Sequence, residues 1–145
     1  MPRRTTEFRA GYYYHLYNRG VNHEHIFFDA PNYTFFLKQL RHYFQGTVDV
    51  AAYCLMPNHY HLLVRLGVDD LNGVMAPFSI SFAKAMNKRY RRVGPLFQGR
   101  FASKLVDSDT YLLHLSRYIH LNPVKAGRST NRSTGFIPAT PSMSA

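Results

Sequence analysis

The chain is poor in acid and almost without cysteine. Eight Asp and Glu stand against eighteen Lys and Arg, a formal charge of +10 over 145 residues. A surplus of that size says nothing about fold, but it selects polyanionic partners, meaning nucleic acid or an anionic surface. The single cysteine, Cys54, excludes an intramolecular disulfide framework and fits a reducing compartment. In a strand its ordinary role is that of a small apolar filler. No apolar run approaches the ~20 residues that cross a membrane. The Arg-containing N-terminus lacks the apolar stretch of a signal peptide. There is no Gly-x-x-x-x-Gly-Lys loop to hold a triphosphate, and no internal repeat.

What is present is a core. Hydrophobic residues make up 46% of the chain and aromatic residues 15%, with eleven Tyr and eleven Phe, which fits one folded domain rather than a disordered chain. The positive charge is also concentrated. Between Leu71 and Val106 no acidic residue occurs, while Lys84, Lys88, Arg89, Arg91, Arg92, Arg100 and Lys104 are all basic. A merely solvated helix face interleaves Glu with Lys. One-signed clustering around Tyr90, Phe97 and Phe101 favours phosphate contact combined with base stacking.

The pattern of residues predicts the order β-α-β-β-α-β-α. Tyr12 to Asn18 is an aromatic-rich strand, ended at Arg19-Gly20. Asp29 or Asn32 caps a helix reaching about Phe44, with Phe36, Leu40 and Tyr43/Phe44 as its apolar stripe. Val48–Leu55 and His59–Leu66 are strands joined through Met56-Pro57-Asn58 as an antiparallel hairpin at the sheet centre. Asp69 or Asp70 opens a second helix to roughly Arg92, with Gly73 and Pro77 pointing to a kink or a late start near Pro77. From there Phe78, Phe82, Ala85 and Met86 form the core stripe, and Lys84, Lys88 and Arg91 share another face. Ser103–Val106 is a fourth strand; Ser108 or Asp109 opens a third helix that stops near Asn122, ahead of Pro123. The expected fold class is α+β: a ferredoxin-like (split βαβ) antiparallel sheet with helices on one face, plus an extra C-terminal helix. The division is one domain over residues 1–127 and a loosely ordered Ser/Thr/Pro-rich tail over 128–145.

Two constellations carry chemistry. In Met56-Pro57-Asn58-His59-Tyr60-His61-Leu62-Leu63, strand alternation turns His59 and His61 to one face, roughly 7 Å apart, and Tyr60 to the other. Two imidazoles so placed can lean onto one divalent ion, although His-x-His in a strand is by itself more often a partly exposed pair. In the third helix, Tyr118 and Asn122 are four residues apart and so share a face. Singly, Tyr118 reads as a half-buried aromatic and Asn122 as a residue suited to a helix end. His120 points about 200° away from Tyr118 and is left out of the site. His15, His114 and His120 read as surface or secondary-support residues.

Three segments taken together carry a resemblance. They are Tyr14-His15-Leu16-Tyr17-Asn18-Arg19-Gly20, the histidine segment above, and Arg117-Tyr118-Ile119-His120-Leu121-Asn122-Pro123-Val124-Lys125-Ala126-Gly127. In this order and spacing the chain resembles the REP-associated tyrosine transposases, within the His-hydrophobe-His (HUH) class of single-strand DNA endonucleases that includes small insertion-sequence transposases. The Gly94-Pro95-Leu96-Phe97-Gln98-Gly99-Arg100-Phe101 stretch also resembles the family's helix-to-strand connection, so the correspondence runs from about Tyr12 to Gly127. One departure is Tyr60, where the wider class often carries an aliphatic residue; an aromatic facing the core serves the same purpose.

The resemblance implies an enzyme that cleaves and rejoins single-stranded or hairpin DNA through a 5′-phosphotyrosine. Tyr118 would be the nucleophile, and His59, His61 and Asn122 the ligands of a divalent metal, Mg²⁺ or Mn²⁺, with no further small-molecule cofactor. A ligand set without carboxylates favours manganese in affinity, while cellular abundance favours magnesium. Arg19, Lys84, Lys88, Arg91, Arg92, Gln98, Arg100 and Arg117 are the expected DNA contacts. The expected location is cytoplasmic and nucleoid-associated, without a membrane partner, and both a monomer and a homodimer exchanging tyrosine helices stay open. The rival readings are a domesticated, non-catalytic nucleic-acid-binding module of the same fold and a ferredoxin-like RNA binder. The latter's aromatic motif on the central strands is absent here, with the histidine pair in its place.

Overall fold

A computed structural model of the chain describes residues 7–108 and 133–135. The elements are β1 (Tyr13–Arg19), α1 (Ala30–Phe44), β2 (Val48–Met56), β3 (His59–Leu66), α2 (Leu71–Tyr90), β4 (Ala102–Val106) and β5 (Ser133–Gly135), with a 3₁₀ turn at Val21–His23. The strands form one sheet in the order β4-β1-β3-β2-β5, with every neighbouring pair antiparallel. The fold is therefore α+β, an antiparallel sheet with two helices among the described residues. The third helix expected around Tyr118 lies outside them. Within the segment read as a loosely ordered tail, Ser133–Gly135 adds an edge strand, setting Thr134 opposite Cys54. No helix among the described residues is long and apolar enough to cross a membrane.

Alternation in the central strands separates two faces. Tyr14 and Leu16 of β1, Tyr60, Leu62, Val64 and Leu66 of β3, and Val48, Val50 and Leu55 of β2 are buried in the main core with the apolar stripes of α1 and α2. Those stripes are Phe36, Leu40 and Phe44 on α1 and Leu71, Met75, Phe78, Phe82 and Met86 on α2. Phe36 is the hub, with its ring 5.1–5.2 Å from those of Tyr60, Phe78 and Phe82. The opposite face carries a smaller buried cluster of Ala52, Cys54, Met56, Leu63 and Val106, so Cys54 is packed apolar filler.

The helix ends follow local chemistry. Asp29 is the N-cap of α1, and the Asn32 side-chain oxygen returns to accept from the backbone N–H of Phe28 (2.7 Å) and Asp29 (2.8 Å). Both residues expected as caps thus take part. The Tyr90 hydroxyl donates to the Asp29 carboxylate at 2.6 Å, tying the end of α2 to the start of α1. The late start expected near Pro77 is overturned: Asp70 accepts from the Gly73 N–H at 3.0 Å, and the helix runs from Leu71 through Pro77. The reason is position. Pro77 and Gly73, the residue whose carbonyl it leaves without a donor, both lie on the exposed face, where water can satisfy that carbonyl. The helix also stops at Tyr90 rather than Arg92, because Arg91 adopts a left-handed conformation (φ 52°).

Candidate active site

The site begins with a two-residue turn. β2 ends at Met56 and β3 begins at His59, leaving Pro57-Asn58 between a directly paired Met56 and His59. The turn is held by the loop after β1. The Pro57 carbonyl accepts from the N–H groups of Ile26 (2.8 Å) and Phe27 (3.1 Å), and the Asn58 carbonyl accepts from the Gly20 N–H (2.9 Å). That approach needs a glycine at position 20, since a β-carbon there would collide with the Glu24 carbonyl.

Beyond the turn, alternation places His59 and His61 on the face away from α1 and α2 and buries Tyr60 in the core, as expected. The His59 and His61 rings lie 5.1 Å apart and almost perpendicular, at 86°. Each ring is held through Nδ1. For His59 the partner is Asn58 Oδ1 at 2.8 Å. The Asn58 amide nitrogen donates to the His23 carbonyl (3.4 Å), so its oxygen faces His59, and the His59 proton is assigned to Nδ1. For His61 the partner is His15 Nε2, at 2.9 Å, with the two rings stacked at 25°. The half-exposed ring of Tyr17 lies 4.8 Å from His15 and 5.8 Å from His61.

Electrostatics favour neutral imidazoles. Burial, with smaller contributions from His15 and His59, lowers the His61 pKa to about 3. Burial and then the Lys104 charge lower that of His15 to about 4. Both rings are therefore uncharged at neutral pH, the form that ligates a metal. His59 and His61 fit as two ligands of a divalent ion in the chemistry of their donors. Among the described residues no group of three or more His, Cys, Asp or Glu is placed to hold one. Asn122, the expected third ligand, lies outside the described residues, as do Tyr118 and Arg117.

The two histidines open onto a cleft of about 600 Å³ that is also lined by Arg19, Gln98 and Arg100, with no carboxylate among the described residues of its walls. Residues 96–99 are fastened to the end of β1: Val21 N–H donates to Leu96 O (3.0 Å), Gln98 N–H to Arg19 O (2.9 Å), and the Asn18 side chain to Gly99 O (3.2 Å). This brings Arg100 to the histidine cleft from a distant part of the chain. Three of the expected DNA contacts thus converge there.

The other described residues among the expected DNA contacts do not. Lys84, Lys88, Arg91 and Arg92 belong to α2 and the turn after it, in the helix layer across the sheet from the histidines. The run from Lys84 to Lys104 is therefore not one surface. Arg92 is further engaged within the molecule, by Glu24 at 3.3 Å, by Asn87 Oδ1 at 2.5 Å and over the Phe28 ring.

Three residues around the histidines carry more weight in the structure than in the sequence. There Asn58 reads as a turn residue, Tyr17 as a strand aromatic and His15 as general support. The period of two in β1, which aligns His15, Tyr17 and Arg19 on one face, was a visible signal. The β1–β3 register, which sets Tyr17 opposite His61, was not.

Fold and site together define an α+β protein with a two-histidine, arginine-lined cleft on one face of its antiparallel sheet. The family model for IS200-like transposases matches residues 9–122, and the chain belongs to that family. Among relatives, it is 32% identical over 91 aligned residues to a protein of Haemophilus influenzae named as a REP-associated tyrosine transposase, an alignment covering 54% of this chain. The chain spans about half the length of that relative, 51%. Its fold is similar to a solved structure of a REP-associated tyrosine transposase bound to a REP hairpin, with a TM-score of 0.63, 20% identity, and coverage of 88% of this chain and 74% of the other.

Proposed function

We propose that this chain is a tyrosine transposase that cleaves and rejoins single-stranded or hairpin DNA. The observation that carries the reading is the pair of imidazoles on one face of β3, each held through Nδ1 and turned toward a cleft lined by Arg19 and Arg100. The sheet order β4-β1-β3-β2, with α1 and α2 on one face, supports a ferredoxin-like plan in which a further helix carries Tyr118.

In this reading the Tyr118 oxygen attacks a backbone phosphorus. The oxygen–phosphorus bond to tyrosine forms, the bond to the 3′-oxygen breaks, and that oxygen leaves as a hydroxyl after taking a proton. The 5′-phosphate stays on Tyr118. Attack by a 3′-hydroxyl reverses the steps and rejoins a strand without an external energy source. Arg19 and Arg100 offset the phosphate charge that repels an anionic nucleophile. His59 and His61, with Asn122, would hold Mn²⁺ or Mg²⁺; when bound, such an ion neutralises a non-bridging phosphate oxygen.

The test uses a hairpin oligonucleotide with a single-stranded flank, Mn²⁺ and a denaturing gel. Wild-type protein is expected to give a protein–DNA species stable to heat and detergent, with the nucleotide mapped to Tyr118 through its 5′-phosphate. Tyr118→Phe removes one oxygen and is expected to abolish the species. An adduct on another tyrosine, or undiminished cleavage by the Phe variant, would overturn the mechanism. Hairpin binding without any adduct would favour the non-catalytic module.

A further inference from the structure

Resting on that metal-binding reading, we propose that His15 is the positioning residue for His61, the acceptor that keeps the His61 Nε2 lone pair directed at the cation. Strand register makes the meeting possible. β1 pairs with β3 so that Tyr17 is opposite His61 and His15 opposite Leu63. His15 therefore reaches His61 diagonally across one face, and its Nε2 ends 2.9 Å from His61 Nδ1.

Two ring nitrogens at that distance share one proton. A neutral imidazole carries its proton on one nitrogen and its lone pair on the other. If His61 Nδ1 holds the shared proton, Nε2 keeps a lone pair for a cation. If His15 Nε2 holds it, His61 must be protonated on Nε2 and cannot ligate there. Ligation through Nε2 thus requires an acceptor at Nδ1, and His15 Nε2 occupies that place in a half-buried setting. The same division of labour holds His59, where Asn58 Oδ1 is the acceptor. Each ligand has its own orienting partner, one from the adjoining turn and one from the neighbouring strand. Such partners typically change metal affinity by 10–100-fold.

The experiment measures Mn²⁺ affinity directly, by electron paramagnetic resonance or calorimetry, on wild type, His15→Phe and His15→Gln, without DNA. Phe keeps a planar ring but offers no acceptor; Gln offers an amide oxygen. His15→Phe is expected to bind Mn²⁺ 10–100-fold more weakly, and His15→Gln to recover most of the loss. Should the Phe variant fail to fold, wild type still decides the matter. In ¹⁵N-labelled, Mg²⁺-saturated protein, a nitrogen–nitrogen coupling across the hydrogen bond is expected between His61 and His15, with the proton attached to His61 Nδ1. Equal Mn²⁺ affinity in wild type and the Phe variant, or a proton residing on His15 Nε2 in the Mg²⁺ form, would overturn the role of His15 alone. Wild type that binds no Mn²⁺ would instead remove the metal reading, and this proposal with it.

Discussion

His61 and His15 make the pH dependence of this fold a local matter. Both have folded pKa values below the unfolded value of 6.5, at about 3 and about 4. Below pH 6.5 the unfolded chain takes up protons that the native sheet refuses, so stability falls as pH falls; above pH 6.5 the two groups contribute no slope. Well below 6.5 each adds a slope of about 1.4 kcal/mol per pH unit. Urea unfolding of metal-free protein is expected to show similar stability at pH 8 and 7.5 and a clear loss between pH 6 and 5. A flat profile across pH 8 to 5 would show that these imidazoles are not buried as described. Replacing His59 or His61 by Ala is expected to abolish cleavage while leaving hairpin binding mostly intact, because Arg19 and Arg100 remain. Cleavage by the double Ala variant at the wild-type rate without added metal would count against the site.

The β2–β3 hairpin gains its precision from its neighbours. Its turn is bonded from outside by Gly20, Ile26 and Phe27, so the loop after β1 serves as a brace for His59. Gly20→Ala forces a methyl group against the Glu24 carbonyl and must shift that brace. The expected result is a loss of about 1–3 kcal/mol together with weaker Mn²⁺ binding, read by urea unfolding and by calorimetry. In the helix layer Phe36 is fully buried among Tyr60, Phe78 and Phe82. Phe36→Ala is expected to cost about 3–5 kcal/mol and lower the melting temperature. Metal binding by whatever fraction remains folded should be little changed, since Phe36 touches the other face of the sheet.

Among the described residues, the basic groups expected to contact DNA divide between two sides of the sheet. Arg19 and Arg100 share the histidine cleft, while Lys84, Lys88 and Arg91 stand on the helix layer. A strand held at the cleft has the sheet between it and the second group. The Arg19→Ala/Arg100→Ala variant is therefore expected to weaken single-strand binding and lower the slope of log affinity against log salt by about 1.4, which is about 0.7 for each phosphate no longer neutralised. Lys84→Ala/Lys88→Ala is expected to change that slope less. Fluorescence anisotropy over a salt series checks both, and the opposite ranking would place the DNA on the helix side. At matched salt, a hairpin with a single-stranded flank is expected to bind more tightly than random duplex.

The sequence alone determined the alternation that sends His59 and His61 one way and Tyr60 the other, because a strand's period of two needs no partner to establish it. It likewise determined the apolar stripe of α1, the Phe78, Phe82 and Met86 part of that of α2, and the cap chemistry at Asp29 and Asn32. Propensity misjudged Pro77, since its cost depends on whether the carbonyl it strands faces water, a matter of burial rather than of local sequence. Only the tertiary structure decided that His15 meets His61, for a one-residue change of β1–β3 register would have turned its ring to the core. It also decided that Arg100 joins Arg19 while Lys84 and Lys88 do not. Adjacency in the chain says nothing about which side of a sheet a charge reaches; the path of the backbone from α2 around the sheet edge to β4 does.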